Sequence, residues 1–108
     1  MRISHSAVLS SPKNRIREIL IIEYLINRGR TIWELYTVQA FIIGQKWQTQ
    51  TISKEEFKKS LQELVPMIDE VKKCLEYSPE KCLEHQIFKL CCKALVNTKD
   101  TILFLDHM

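Results

Sequence analysis

The chain has 108 residues, 45% of them hydrophobic and 27% charged, with only two glycines and three prolines. This composition excludes disordered and collagen-like chains, and the length supports one domain whose core needs no disulfide or metal staple. A net charge of +3 is far below that of a dedicated nucleic-acid domain, so charge does not set the class of partner.

Residues 1 to 10 carry no sustained periodicity and are expected to form an extended or mobile lead-in to a single domain over residues 11–108. Glycine scarcity argues against β-sandwich and α/β folds, which need many tight turns, and the apolar spacing is helical almost throughout. A first helix is predicted from Ser11 as N-cap, with Pro12 in the first turn, to a stop at Gly29. Thr31 and Glu34 have capping-box spacing and predict a second helix to about Gln48, carrying Ile32, Tyr36, Ala40, Ile43 and Trp47 on one face with Trp33 beside them.

Ser53 and Glu56 repeat the capping box and open a third helix. Its apolar positions Phe57, Leu61, Leu64, Ile68, Val71 and Leu75 alternate spacings of four and three, the clearest amphipathic signal in the chain. Pro66 lies inside that stripe and predicts a kink rather than a break, because the stripe continues in phase. Ser78-Pro79 predicts the start of a fourth helix, with Leu83, Ile87, Leu90, Ala94, Thr98, Ile102 and Leu105 inward, running nearly to Met108. Four helices with short connections predict an all-α, antiparallel up-down-up-down four-helix bundle. The apolar residues Leu103-Phe104-Leu105, close to the end of the chain, suggest a domain cut from a longer protein.

No apolar run approaches the ~20 residues of a membrane span. The first residues lack the apolar stretch of a secretory signal, and the expected location is intracellular, cytoplasmic or nuclear. The cysteines Cys74, Cys82, Cys91 and Cys92 fall in the last third of the chain. Adjacent helical residues point about 100° apart, so Cys91 and Cys92 cannot pair without distorting the helix, and free thiols are expected.

Cys82, His85 and Cys92 share a helix face, with Cys74 across the connection, but the close CxxC pairs of structural zinc modules are absent, so no metal or other cofactor is expected. There is no phosphate loop, HExxH or nucleophile elbow, and an enzyme is not expected. Lys13, Arg15, Arg17, Arg28 and Arg30 around the first helix support nucleic-acid binding as the alternative function. Lys58, Lys59, Lys72 and Lys73 on the third helix add to them, but neighbouring acids dilute the charge, and Lys54-Glu55-Glu56 with Asp69-Glu70 make the third helix a mixed-charge solvated face.

The leading expectation is a protein-association module, binding a protein partner or a second copy of itself. The first and fourth helices carry more apolar surface than one bundle core can absorb. The expected interface has Ile21, Leu25, Cys92, Val96 and Leu103 at its centre and Arg17, Arg28 and Lys99 at its rim, with two neighbouring helices merging their extra apolar lines. Residues 1 to 10, folding back over that patch, are the competing explanation; if instead Ile21 and Leu25 face the core, Ile16 and Leu20 are turned toward water and the interface moves to that side.

Overall fold

The computed structural model describes residues 12 to 108, with side chains from Arg15 onward. The expectations for residues 1 to 10, including their folding back over an apolar patch, and for Ser11 as a cap lie outside the described residues. Within them the chain forms three helices and no strand: α1 (Pro12–Gln48), α2 (Lys54–Leu75) and α3 (Leu83–Asp106). The four-helix bundle is therefore corrected to a three-helix array, because the first two predicted helices are one continuous helix of 37 residues.

The reason lies at Gly29. Its position between two apolar stretches resembles a helix stop, but its φ is not positive and the helix continues through it. Gly29 is buried because α2 ends against it: an added Cβ would stand 2.7 Å from Leu75 Cδ2 and 3.0 Å from Cys74 Cβ. Glycine is required here for close approach, which outweighs its cost of about 1 kcal/mol in a helix interior. Thr31 does not cap a new helix, since its hydroxyl donates to the Asn27 carbonyl one turn back.

α1 closes at Gln48. Gln50 adopts a left-handed conformation (φ 57°), the Thr51 amide donates to the Lys46 carbonyl, and the Gln50 amide donates to that of Trp47. This is a Schellman closure with glutamine in the place usually held by glycine. α2 then opens as predicted: the Ser53 hydroxyl accepts from the Glu56 amide at 3.1 Å, and the Glu56 carboxylate accepts from the Ser53 amide at 2.9 Å.

α2 runs unbroken through Pro66 and is the central helix of the array. Phe57, Leu64, Ile68, Val71, Cys74 and Leu75 are buried on it, matching the predicted stripe except that Leu61 is only half-buried. The chain then turns later than predicted. Ser78 is buried and its hydroxyl donates to the Leu75 carbonyl at 2.6 Å, closing α2 rather than capping α3. α3 begins at Leu83, after Cys82, and buries Ile87, Cys91, Thr98 and Leu105. Leu83 and Leu90, expected inward, are exposed, because the helix is turned so that Cys91 faces the core in place of Leu90.

Trp47 stacks on Phe57 at one end of the α1–α2 contact, and Gly29 meets Leu75 at the other, so these helices run antiparallel. α3 returns along α2, with its Glu84 paired to Arg30 and its Asp106 to Lys58. The core is formed by Ile68, Val71, Leu75, Ile87 and Cys91, with Ile26, Ile32, Trp33, Tyr36 and Phe88 packed around it. Among the described residues from Arg15 onward, α1 contributes only Gly29 to the buried set, and the array is elongated, 58 × 23 × 21 Å.

Candidate interaction surfaces

Because α2 ends at Leu75 against Gly29, among the described residues no helix lies beside the beginning of α1. Pro12 to Tyr24 project as an overhang about 20 Å long, and from Arg15 to Tyr24 every residue but Glu18 is exposed. Ile16, Ile19, Leu20, Ile21 and Tyr24 are each more than half exposed there. Across the described residues seventeen large apolar side chains are exposed, against nine buried apolar ones. Isolated exposed apolar residues are ordinary on soluble proteins, but clusters of this size are not.

Most of the exposed residues fall on three surfaces, with Tyr77, Leu83, Leu90, Phe104 and Met108 outside them. The overhang is the first. The second is the side of α1 turned away from α2, where Leu35, Val38, Phe41 and Ile42 continue the line of Ile16, Leu20 and Tyr24. The third is the outer side of α3, where Val96 and Leu103 are exposed, Cys92 is half-buried and Lys99 is exposed beside them.

The residues expected to form one interface are divided between these surfaces. Ile21 is exposed on the overhang and Leu25 half-buried just after it, while Cys92, Val96 and Leu103 line α3. The ion pair of Arg30 with Glu84, 2.9 Å long, sets the start of α3 level with the middle of α1. Ile21 lies nine residues before that level and Val96 twelve residues after it, about 30 Å apart along the array. A merged patch requires the bundle geometry, in which the first and last helices lie side by side over their whole length. Arg17 stays exposed on the overhang, whereas Arg28 pairs with Glu70 at 3.3 Å.

Those two ion pairs bear on nucleic-acid binding as well. Arg28 and Arg30 are taken up by Glu70 and Glu84, Lys58 by Asp106 and Lys73 by Asp69. Arg15 and Arg17 share the overhang with Glu18 and Glu23. Of the candidate basic groups, Arg28, Arg30, Lys58 and Lys73 are thus held in ion pairs within the chain, which leaves them less free to track a phosphate backbone.

The cysteines are all unpaired. Cys91 has no exposure, and burial, with Cys92 adding to it, pushes its thiol up from the ordinary 9.0 to about 12. Burial and the neighbouring Glu70 carboxylate also raise Cys74, whose Sγ lies 3.8 Å from Glu70 Oε2. Arg28 pairs with the same carboxylate, so one small polar group sits where the end of α2 meets Gly29.

His85 stacks on Phe88, and its Nδ1 is buried without a hydrogen-bond partner. Among the described residues no three His, Cys, Asp or Glu side chains gather in a way that would hold a metal. The open depressions are shallow. One, on α1, is lined by Tyr24, Asn27, Arg28, Thr31 and Ile32, and another, on α3, by Cys92, Lys93, Val96 and Asn97.

Sequence periodicity reached the outer face of α1 only as the alternative with Ile16 and Leu20 outward, and not its continuation beyond Gly29. Its signal was present in Ile16, Leu20, Tyr24, Leu35, Val38 and Ile42, but a helix broken at Gly29 splits that line in two. No helix among the described residues is long and apolar enough to cross a membrane. No family model, curated protein or solved structure matches the chain.

Proposed function

We propose that this chain is a non-enzymatic helical association module that works by burying exposed apolar helix surface against a protein, a second copy of itself included. The observation that carries this reading is the overhang of α1, where Ile16, Ile19, Leu20, Ile21 and Tyr24 stand in solvent beyond the end of α2. Burial of apolar area is the main favourable term in association, about 25 cal/mol per Å² before the costs of binding. An isolated helical segment of this length is also marginal in water without a packing partner.

The outer side of α3 is a second surface of the same kind, with Val96 and Leu103 as anchors and Lys99 at the rim. The proposed location is intracellular, and four unpaired thiols suit a reducing compartment.

The test has two arms. Sedimentation of the full chain from about 1 to 500 µM covers the range of ordinary self-association constants. Capture of partners on immobilised protein, compared between wild type and the charge variants Ile21→Glu, Leu25→Glu and Val96→Glu, covers other proteins. Association in either arm that one of these variants abolishes, with helical circular dichroism retained, is the expected result. A monomer at every concentration, with no captured protein that depends on these side chains, overturns the reading.

A further inference from the structure

Building on the association reading above, we propose that two copies of this chain pair antiparallel through the solvent-facing stripe of α1, across a two-fold axis level with Gly29 but on the opposite face of the helix. The stripe consists of Ile16, Leu20, Tyr24, Leu35, Val38 and Ile42, all exposed and all on the side of α1 opposite its contact with α2. It is as long as the helix, because the helix does not break at Gly29.

The occupant follows from the order of residues along the stripe. Ile16 lies 13 residues before Gly29 and Ile42 lies 13 after it. Leu20 and Val38 are each nine away, Tyr24 and Leu35 five and six, and Asn27 and Thr31 each two. The stripe therefore reads nearly the same from either end. A two-fold interface presents one patch to itself in reverse order, so an antiparallel second copy sets Ile16 against Ile42, Leu20 against Val38 and Tyr24 against Leu35, twice over.

The centre of the stripe is polar, and its donors and acceptors are complementary. Asn27 Oδ1 already accepts from Arg30 at 2.8 Å, leaving the side-chain amide to donate. The Thr31 hydroxyl already donates to the Asn27 carbonyl, leaving its lone pairs to accept. Antiparallel pairing sets each Asn27 opposite the second copy's Thr31. Any shift of register buries these groups against isoleucine or leucine, a penalty of the kind that fixes alignment in coiled coils. Arg28 and Arg30, next to the axis, are neutralised by Glu70 and Glu84 within their own chain, so like charges do not accumulate there.

The area also suffices. Six half-exposed side chains of this size, with Phe41 at the border, offer roughly 700 Å² per copy, close to the ~800 Å² per partner of a standard stable interface. The outer side of α3 is a poorer candidate for such pairing, because its apolar line, from Cys92 to Leu103, is less than half as long and is flanked by Lys89, Lys93 and Lys99.

The experiment is sedimentation of the full chain, as wild type, as Leu20→Glu, as Val38→Lys, and as an equimolar mixture of the two variants. The wild type is expected to be a dimer. Each variant alone is expected to dissociate at least about 100-fold more readily, since each dimer carries the substitution twice at a central apolar contact. In the mixture the introduced carboxylate of one variant would face the introduced ammonium of the other, while the second such contact would remain Leu20 against Val38. Dimers are then expected to return.

Circular dichroism checks that helix content is unchanged, and Leu20→Ser provides a milder replacement should Leu20→Glu disturb the overhang. A wild-type dimer insensitive to both substitutions but lost in Val96→Glu overturns this inference and leaves the association reading standing. A mixture that stays monomeric overturns the antiparallel pairing. A wild type that is monomeric throughout overturns the dimer, and the association reading then rests on the capture arm alone.

Discussion

Gly29 lies directly beneath Leu75, with room for a hydrogen but not for a methyl group, and Leu75 itself has no exposure to give way into. That contact holds the end of α2 against the middle of α1, and among the described residues no helix neighbours the part of α1 before it. Gly29→Ala should therefore destabilise the fold by about 1–3 kcal/mol, although alanine is the better helix former by about 1 kcal/mol. At Gly44 an added methyl group would have nothing within 4 Å, so Gly44→Ala should instead stabilise by about 0.5–1 kcal/mol. Urea titration of both variants checks the opposite signs.

The centre of α2 should be the most sensitive part of the chain. Leu64 and Ile68 are 3% and 0% exposed, and replacement of either by alanine should cost about 2–5 kcal/mol through lost burial and a residual cavity. Losses under about 1 kcal/mol at both positions in denaturant titrations, against that range, would contradict the packing described.

Gln50 closes α1 in a conformation that disfavours any residue with a Cβ. Gln50→Gly should raise stability by roughly 0.5–1 kcal/mol. The gain should vanish if the Thr51–Lys46 backbone bond is absent in solution, which amide exchange at Thr51 reads directly.

The thiols should separate by accessibility. Cys82 and Cys92, both partly exposed, should react with a disulfide reagent in the folded protein, whereas Cys74 and Cys91 should wait for unfolding. Burial raises the folded-state pKa of Cys91 from 9.0 to about 12, so the folded form holds this proton more tightly than the unfolded chain. Stability from this group is whole below pH 9.0 and is lost as pH climbs toward about 12. Cys74 and Tyr36, both raised chiefly by burial, act in the same direction. Thermal melts from about pH 8 to about pH 11 should fall with pH, and less steeply in Cys91→Ala, across the range between ordinary and buried thiols.

Local rules reached most of the secondary structure. The capping box of Ser53 and Glu56, the stripe of α2, the end of α1 at Gln48 and the helical class all follow from contacts within one or two turns, which the order of residues encodes directly. The tertiary structure decided what Gly29 and Ser78 mean. Glycine after an apolar stretch ends a helix when it faces solvent and permits close packing when another helix arrives. Only the position of Leu75 distinguishes the two. Ser78 before proline resembles a cap, yet its hydroxyl serves the helix behind it, because the Leu75 carbonyl lies within reach.

The same division governs the candidate surfaces. An excess of apolar residues on the first and last helices was legible from spacing, and so was the exposure of Val96 and Leu103, since both lie opposite the inward line of α3. Which surplus residues share a surface depends on which helices are neighbours and at what height. Fusing two predicted helices into one moved Ile21 about 30 Å and Leu25 about 25 Å along the array from Val96 and joined Ile16, Leu20 and Tyr24 to Leu35, Val38 and Ile42. Sequence periodicity specifies the face of each helix. The stacking of helices, set by contacts between residues far apart in the chain, specifies which faces remain uncovered.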